Sequence, residues 1–223
     1  MKILFDNLLL SGGAVAIAQD SNFPASNLKS PFLKKRFQSI NTTDTITCTL
    51  GTPALISSVY TGYSNATITI KAYFNSVLLY SITGTHLEFT PTVIDVVTVE
   101  LVATTPAYLG GIGIGLPFEI NPPESFWAEG YEDRSLVSES QSGQVLNEYV
   151  EPFRKYQFKF PGLTRDKARE FQDEYRRTGL GVPMFVDPST DGLEPLYCRL
   201  TGEVGANKNK RQYDIQINLL EAR

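Results

Sequence analysis

The chain has 223 residues, of which 42% are apolar and 20% charged, and its 20 Lys and Arg residues nearly balance its 24 Asp and Glu residues. This composition excludes a disordered chain, and the lack of net positive charge argues against nucleic-acid readout. Residues 1–120 hold 6 basic and 7 acidic side chains, whereas residues 121–223 hold 14 and 17. The step in charge density near residue 120 predicts two differently built units.

The two cysteines and the start of the chain bear on its compartment. Cys48 and Cys198 fall in different halves, so we expect free thiols in packed strands rather than a disulfide framework. No apolar run reaches the roughly 18–20 residues that a membrane span requires. Asp6 and Asn7 interrupt the apolar start, which favours a first strand of the mature protein over a signal peptide.

Residues 40–115 alternate apolar and polar side chains with a period of two, as half-buried β-strands do. The first 120 residues contain 16 threonines and the last 103 only four, and threonine suits a pleated, half-exposed surface. The pattern predicts short strands joined by turns, in an antiparallel β-sandwich or jelly roll. The runs with this pattern are residues 45–50, 66–74, 77–82, 86–89 and 93–102.

Three segments of the first half carry a resemblance to a known family. Residues 25–28 read Ala-Ser-Asn-Leu, residues 36–39 read Arg-Phe-Gln-Ser, and residues 46–51 form a strand that ends Leu-Gly. This order resembles the opening of discoidin-like, or galactose-binding-like, β-sandwich domains. In that family Phe37 would be Trp, and Thr49 is frequently acidic. The resemblance covers about residues 20–115 and implies the sandwich fold.

The same resemblance implies ligands. Many members of that family bind sugars or lipid surfaces through loops at one end of the sandwich, some with a structural calcium, so a host-surface glycan is a partner to consider. The acidic side chains of the first half are scattered, without the close spacing of a calcium loop. We therefore expect no metal and no cofactor.

Residues 110–115 read Gly-Gly-Ile-Gly-Ile-Gly. They match neither the dinucleotide fingerprint nor a P-loop, and Leu116 and Pro117 follow where such motifs require a helix. The interpretation we favour is a last strand of the first unit, approached closely by another backbone.

Residues 117–151 are rich in Pro, Ser and Glu with little periodicity, which predicts an extended connector. The only tryptophan, Trp127, lies there with Phe126 and Tyr131 nearby. Large aromatic side chains serve both as plugs in a domain groove and as anchors in a subunit interface. Both readings stay open, and the three residues are candidates for a subunit interface.

The second half predicts an α+β module with one helix on a sheet or barrel. Residues 154–160 form an alternating strand, Thr164 can cap a helix over residues 165–178, and Gly179 ends it. Three further strands follow, at residues 182–188, 196–202 and 213–219.

Four pieces of this half resemble the tube-like module of bacteriophage tail proteins, particularly distal-tail and baseplate components. The pieces are residues 156–160, the helix start at 163–168, the strand at 181–187 and the closing run at 213–221. The resemblance covers about residues 152–223 and implies a structural protein of the virion whose copies form a ring, a hexamer or trimer, with other tail proteins as partners. In distal-tail proteins the tube-like module precedes the accessory sandwich, and here the order is reversed.

No catalytic constellation is evident, so we expect no enzyme. His86 is the only histidine, no G-x-S-x-G motif is present, and two distant cysteines do not make a metal centre. A pair of carboxylates, such as Glu148 with Glu151 or Asp187 with Asp191, is the remaining option for a glycosidase, but charges of this kind usually face solvent.

The basic runs at residues 34–36 and 208–211 are short and lack an aromatic platform for bases. Both runs suit a solvated surface. The second also suits the acidic edge of a neighbouring subunit, which adds Lys208, Lys210 and Arg211 to the interface candidates.

The sequence thus predicts a mainly β chain: a sandwich over residues 1–116, a connector over 117–151 and a tube-like α+β module over 152–223. The function expected is that of a ring-forming component of a phage tail tip or baseplate, which joins the tail tube to the host-recognition apparatus and is made in the bacterial cytoplasm. The alternative is a carbohydrate-binding module or an accessory tail decoration protein.

Overall fold

The computed structural model describes residues 1–29, 36–120, 127–132, 136–139, 145–148, 152–179, 182–188, 195–201, 204, 206–209 and 212–221. Within these ranges the chain forms antiparallel strands, one α-helix and two short 3₁₀ helices. The predicted fold class, mainly β with a sandwich in about half of the chain and one helix, is confirmed. No helix in the described ranges has the length and apolar character needed to cross a bilayer.

The first half contains ten strands and both 3₁₀ helices, Leu8–Ser11 and Ala25–Lys29. The strands are β1 Lys2–Leu4, β2 Gly13–Ala16, β3 Phe37–Gln38, β4 Thr43–Thr61, β5 Thr67–Phe74, β6 Val77–Thr83, β7 His86–Val102, β8 Tyr108–Leu109, β9 Ile112–Gly115 and β10 Phe118–Glu119.

The second half contains the helix α1, Arg165–Thr178, and the remaining strands. These are β11 Trp127–Glu132, β12 Leu136–Glu139, β13 Val145–Glu148, β14 Phe153–Leu163, β15 Pro183–Asp187, β16 Leu196–Thr201, β17 Ala206–Asn209 and β18 Gln212–Glu221.

The sandwich is built on a six-stranded antiparallel sheet in the order β2-β4-β7-β5-β6, with β9 paired to β4, and on the small β3–β8 pair. The period-two pattern has the predicted effect, since Ile46, Cys48, Ile68 and Ile70 point into the core while the intervening threonines do not. Strand β4 pairs with β2 in its first part and with β9 in its last part, and register shifts separate these parts. Such bulges bend a long strand.

The second sheet has the order β10-β1-β15-β16-β18-β14-β11, with β17 beside β18. Strand β1 lies in this sheet, where Ile3 pairs with Phe118 on one side and with Val186 on the other. This differs from the expected unit over residues 1–116. Both Ile3 and Leu4 are buried, as suits an inner strand covered on both faces. The sandwich is therefore inserted between the first strand of the second unit and the rest of it.

The helix α1 has the predicted bounds. The Thr164 hydroxyl accepts a hydrogen bond from the Lys167 amide at 3.3 Å, and Gly179, with φ 76°, ends the helix. Phe171 is buried and packs edge-to-face against Phe5, with ring centroids 5.6 Å apart. The helix thus packs against a residue from the start of the chain.

Residues 117–151 were expected to be an extended connector, but their described parts are paired strands. Strand β10 pairs with β1, β11 pairs with β14, and β12 pairs with β13. Polar and charged residues interrupt the apolar pattern of β11, whose sequence is WAEGYE, because it is the outer strand of the sheet.

Candidate functional site

The two units meet through a small apolar cluster. Leu4 and Phe185 of the second sheet are buried against Tyr60 of the sandwich strand β4, and Tyr197 packs beside them. The rings of Tyr60 and Phe185 stack with centroids 5.8 Å apart, and those of Phe185 and Tyr197 lie 4.7 Å apart. This boundary cluster holds the two units in contact by packing, without a disulfide bond between them.

The glycine-rich segment forms β9, so the predicted last strand is confirmed. A side chain at Gly113 would place its Cβ 2.4 Å from the Phe185 ring and 2.8 Å from Leu4. At Gly115 it would meet the Asp6 carbonyl oxygen at 2.7 Å. The close approach comes from a backbone at Gly115 and from apolar side chains at Gly113. The alternating glycines therefore make room for the second unit.

A polar group borders the boundary cluster. Lys2 of β1 forms an ion pair with Glu88 of β7, and the Tyr60 hydroxyl donates to the same carboxylate at 3.0 Å. Burial raises the pKa of Glu88, but the Lys2 and Tyr60 hydrogen bonds and the Lys2 charge outweigh it, so this pKa lies below its usual value. Burial raises the pKa of Tyr60, which keeps its hydroxyl a donor.

Asn7 fixes the passage from β1 into the sandwich. Its side-chain amide donates to the Ile112 carbonyl at 2.7 Å, while its Oδ1 accepts from the Leu9 and Ile114 amides, both at 3.1 Å. One side chain thus caps the first 3₁₀ helix and ties it to β9.

Beside the boundary cluster lies a cleft of about 470 Å³ between the two units. Its polar and aromatic walls come from β11, β14, β16 and β18 of the second sheet and from the end of β4 and the residues after it. The side chains that give the cleft its chemistry are Tyr63, Glu129, Arg154, Tyr156, Tyr197 and Glu221.

The charged side of the cleft centres on Arg154. Its Nε lies 4.0 Å from the Glu129 carboxylate, and its backbone amide donates to Glu221 at 3.4 Å. The hydrogen bond with Tyr156 is the main reason that the pKa of Arg154 is raised. Burial raises the pKa of Tyr156. This side presents a guanidinium, two carboxylates and a hydroxyl within one wall.

On the aromatic side of the cleft, two tyrosine rings lie close against two glycines. A Cβ at Gly110 would lie 2.3 Å from the Tyr63 ring, and one at Gly111 would lie 3.1 Å from the Tyr197 ring. Tyr63 also packs against Tyr108 with centroids 6.0 Å apart and remains 40% exposed. Such rings beside hydrogen-bonding groups can hold a small polar ligand that also has an apolar face.

The predicted interface residues do not converge on one site. Trp127 begins β11 opposite Phe158, and Tyr131, 66% exposed, lies on the same strand opposite Arg154. Lys208 lies on β17 opposite Tyr213, near the other end of the second sheet's β18 strand. The other three candidates, Phe126, Lys210 and Arg211, lie outside the described residues. Whether these residues contact a neighbouring subunit stays a prediction.

Nucleophilic and metal-binding groups are sparse in the described ranges. Both cysteines are free and buried, as predicted, and burial raises the pKa of Cys48 to about 12. His86 stacks beside Tyr60, with centroids 6.4 Å apart. No cluster of three or more His, Cys, Asp or Glu side chains suited to a metal occurs among the residues described.

The sequence did not reveal the cleft, because its six principal residues are far apart in the chain, from Tyr63 to Glu221. The one local signal is the pair Gly110-Gly111, where small residues mark a close approach.

Strands β12 and β13 form a separate two-stranded sheet. Val137 pairs with Asn147 and Ser138 with Leu146, and no other strand of the described chain joins this ladder. Along the chain β11 precedes this hairpin and β14 follows it. A two-stranded hairpin is at best marginally stable by itself in water.

No protein family matches the sequence, and no curated protein matches it. Among solved structures, about half of the chain is similar to small carbohydrate-binding modules. The chitosan-binding module 1 of a chitosanase/glucanase from Paenibacillus sp. IK-5 is 20% identical, with 49% of this chain and 98% of that chain covered and a TM-score of 0.44.

Two further structures extend this observation. The family 32 carbohydrate-binding module of NanJ from C. perfringens, in complex with galactose, is 14% identical over 51% of this chain and 97% of that one, with a TM-score of 0.42. The family 32 module of AlyQ, in complex with 4,5-unsaturated mannuronic acid, is 18% identical over 51% and 97%, with a TM-score of 0.40. The likeness concerns the fold of the first half.

Proposed function

We propose that this chain is a structural protein of a tailed phage virion, whose second unit joins copies into a ring at the tail tip or baseplate. The observation that carries the proposal is the β12–β13 hairpin, which pairs with no other strand in the described chain. A two-stranded hairpin needs a surface to pack on, and in a head-to-tail ring a different face of the next copy supplies one.

The strand order of the second unit supports the same proposal. The four pieces that resemble the tube-like module fall on β14, on the start of α1, on β15 and on β18. The reversed order of the two units weighs less against the resemblance, since β1 belongs to the second sheet and that unit both begins and ends the described chain. The sandwich is then an attachment on a ring-forming unit.

The contact between units suits a mechanical role. Load passed to the sandwich reaches the second sheet through the boundary cluster and the Lys2–Glu88 ion pair. Because buried aromatic rings resist displacement, the sandwich is held in a fixed direction relative to the ring.

Mass photometry and electron microscopy of the full chain test this proposal. We expect rings of three or six copies, and a variant in which a two-residue Asn-Gly turn replaces residues 136–148 should lose the ring while keeping its fold by circular dichroism. The matched control is Val102→Lys, which changes an exposed side chain and keeps the hairpin at full length. Rings that persist without the hairpin, or absence of the chain from purified virions, would contradict the proposal.

Carbohydrate binding is the second candidate, and the cleft is the observation that favours it. Tyr63 offers a partly exposed ring, and Arg154 and Glu129 offer charged hydrogen-bonding groups at the same opening. Sugars are held by this combination of ring faces and hydrogen bonds. A glycan array with the full chain should then show saturable binding that Tyr63→Ala removes and Val102→Lys leaves intact, and an array without binding argues against this candidate.

A further inference from the structure

The outer strand of the sandwich sheet, β6, has an unusual surface. It pairs with β5 on one side and ends the sheet on the other. Six of its seven residues are exposed, and the apolar ones are Val77 at 60%, Leu78 at 49%, Leu79 at 40% and Ile82 at 42%. An exposed apolar edge strand is a template on which another strand can pair.

Strand β6 lacks the charges and prolines that usually oppose such pairing, and no other described strand pairs with its outer side. The chain has no Asp, Glu, Lys or Arg between Lys71 and Glu88, and no proline between Pro53 and Pro91. Natural proteins generally place charges, prolines or covering segments at exposed edges. Seven residues without any of these would make a monomer prone to aggregate.

Other outer strands of the two large sheets are short or carry charges. Strand β11 carries Glu129 and Glu132, and the latter forms an ion pair with Lys155 at 2.7 Å. Strand β10 has only two residues and ends in Glu119. Beside β2, the Lys29 ammonium binds the Gly12 carbonyl. Among the described outer strands of the two large sheets, β6 is the longest without a charged residue.

Strand β6 is also fixed in position before any partner arrives. A two-residue turn, with φ of 49° at Asn75 and 65° at Ser76, sets its register against β5, as tight hairpin turns do. Tyr80 stacks on Phe89 with centroids 4.3 Å apart, and its hydroxyl lies 3.0 Å from the Thr92 hydroxyl. A strand held in this way loses little conformational entropy on pairing.

We propose that β6 pairs antiparallel with β6 of a second copy of this chain, so that two sandwich sheets join edge to edge. A strand without charges can lie opposite itself without placing like charges together, and a two-fold contact between identical edges is self-complementary. This contact lies in the sandwich and does not depend on the ring proposed above.

Sedimentation of the full chain over a range of concentrations tests the pairing. Copies of 24.7 kDa, or rings of them, should associate in pairs. The double variant Leu78→Lys/Leu79→Lys should weaken this step about tenfold or more, since edge lysines oppose strand pairing. The control Val102→Lys, at an exposed position of the inner strand β7, should leave it unchanged. The chain with the shortened hairpin should still pair.

Amide hydrogen exchange gives a second readout that does not require a variant. Exchange of the β6 amides should slow as the concentration of the chain rises, while that of amides in β11 follows the ring alone. Equal exchange of β6 at all concentrations overturns the proposal. So do open-ended aggregates in place of pairs, equal association of the double variant and the control, or protection of β6 only when another tail protein is added.

Discussion

Tyr60 and Phe185 stack with their ring planes 14° apart and their centroids 5.8 Å apart, across the boundary between the sandwich and the second sheet. Each ring is buried and belongs to a different unit. Since folding of either unit alone would expose one of these rings, the cluster links the two units energetically. We therefore expect a single cooperative unfolding transition for the whole chain.

Removal of the Phe185 ring should uncouple the units. Phe185→Ala deletes a fully buried ring, a change that costs about 3–5 kcal/mol in protein cores. Differential scanning calorimetry should show two transitions in the variant where the parent shows one. As a control, Phe89→Ala removes a half-buried ring that stacks on Tyr80 away from the boundary, and it should keep one transition. A single transition in Phe185→Ala would show that the units stay coupled without this ring and would contradict its role.

The glycines of β9 give a steric test. Gly113→Ala places a methyl group 2.4 Å from Phe185, and overpacking of this kind costs about 1–3 kcal/mol. Gly13→Ala in β2 meets no atom within 4 Å and should leave stability unchanged or slightly raised. Urea unfolding of both variants measures the difference, and equal midpoints would show that the close approach at β9 has no energetic weight.

The Lys2–Glu88 ion pair predicts a pH dependence. The pKa of Glu88 is lowered from an ordinary 4.5, so its stabilising effect is present above that pH and is lost as the pH falls through the lower value in the folded state. Glu88→Gln should lower stability at neutral pH by about 1 kcal/mol or less, because water screens a half-exposed pair. Thermal melts should converge with those of the parent in acid.

A matched control for this effect is Glu100→Gln, which breaks the ion pair with Lys71 within the sandwich. It leaves the boundary between the units intact and should cost no more than the Glu88 change. A difference between parent and Glu88→Gln that stays constant down to the lowest pH would contradict the assignment.

Asn7 should matter more than its half-exposed position suggests. Asn7→Ala leaves the Ile112 carbonyl and the Leu9 and Ile114 amides without their side-chain partner, and an unsatisfied buried group costs about 1–3 kcal/mol. Asn7→Asp keeps the acceptor but sets a carboxylate oxygen against the Ile112 carbonyl oxygen, so it should lose stability as well. Chemical denaturation ranks the three proteins, and an Ala or Asp variant as stable as the parent would argue against this network.

The sequence predicted local elements well where periodicity was strong. The helix bounds agree because Thr164 and Gly179 mark its ends chemically, and the strands of residues 40–115 agree because alternation sends one face to the core. The sheet to which β1 belongs could not be predicted, since three residues carry no information about partners as distant as Phe118 and Val186.

The cleft and the edge strand were not predicted for a similar reason. Arg154 and Tyr63 line one cleft only because the two sheets meet there. Contact between two sheets leaves no periodic pattern in the sequence. The alternation of β6 indicates a strand, but its place at the edge depends on which strands join β5.

Strands β1 and β10 lie side by side, so the chain leaves the second sheet after Leu4 and re-enters it at Phe118, next to the point of departure. A short loop could bridge that gap. The sandwich is thus an exchangeable insertion: over evolution or by engineering, another domain with neighbouring ends could take its place while β10, β1 and β15 keep their pairing.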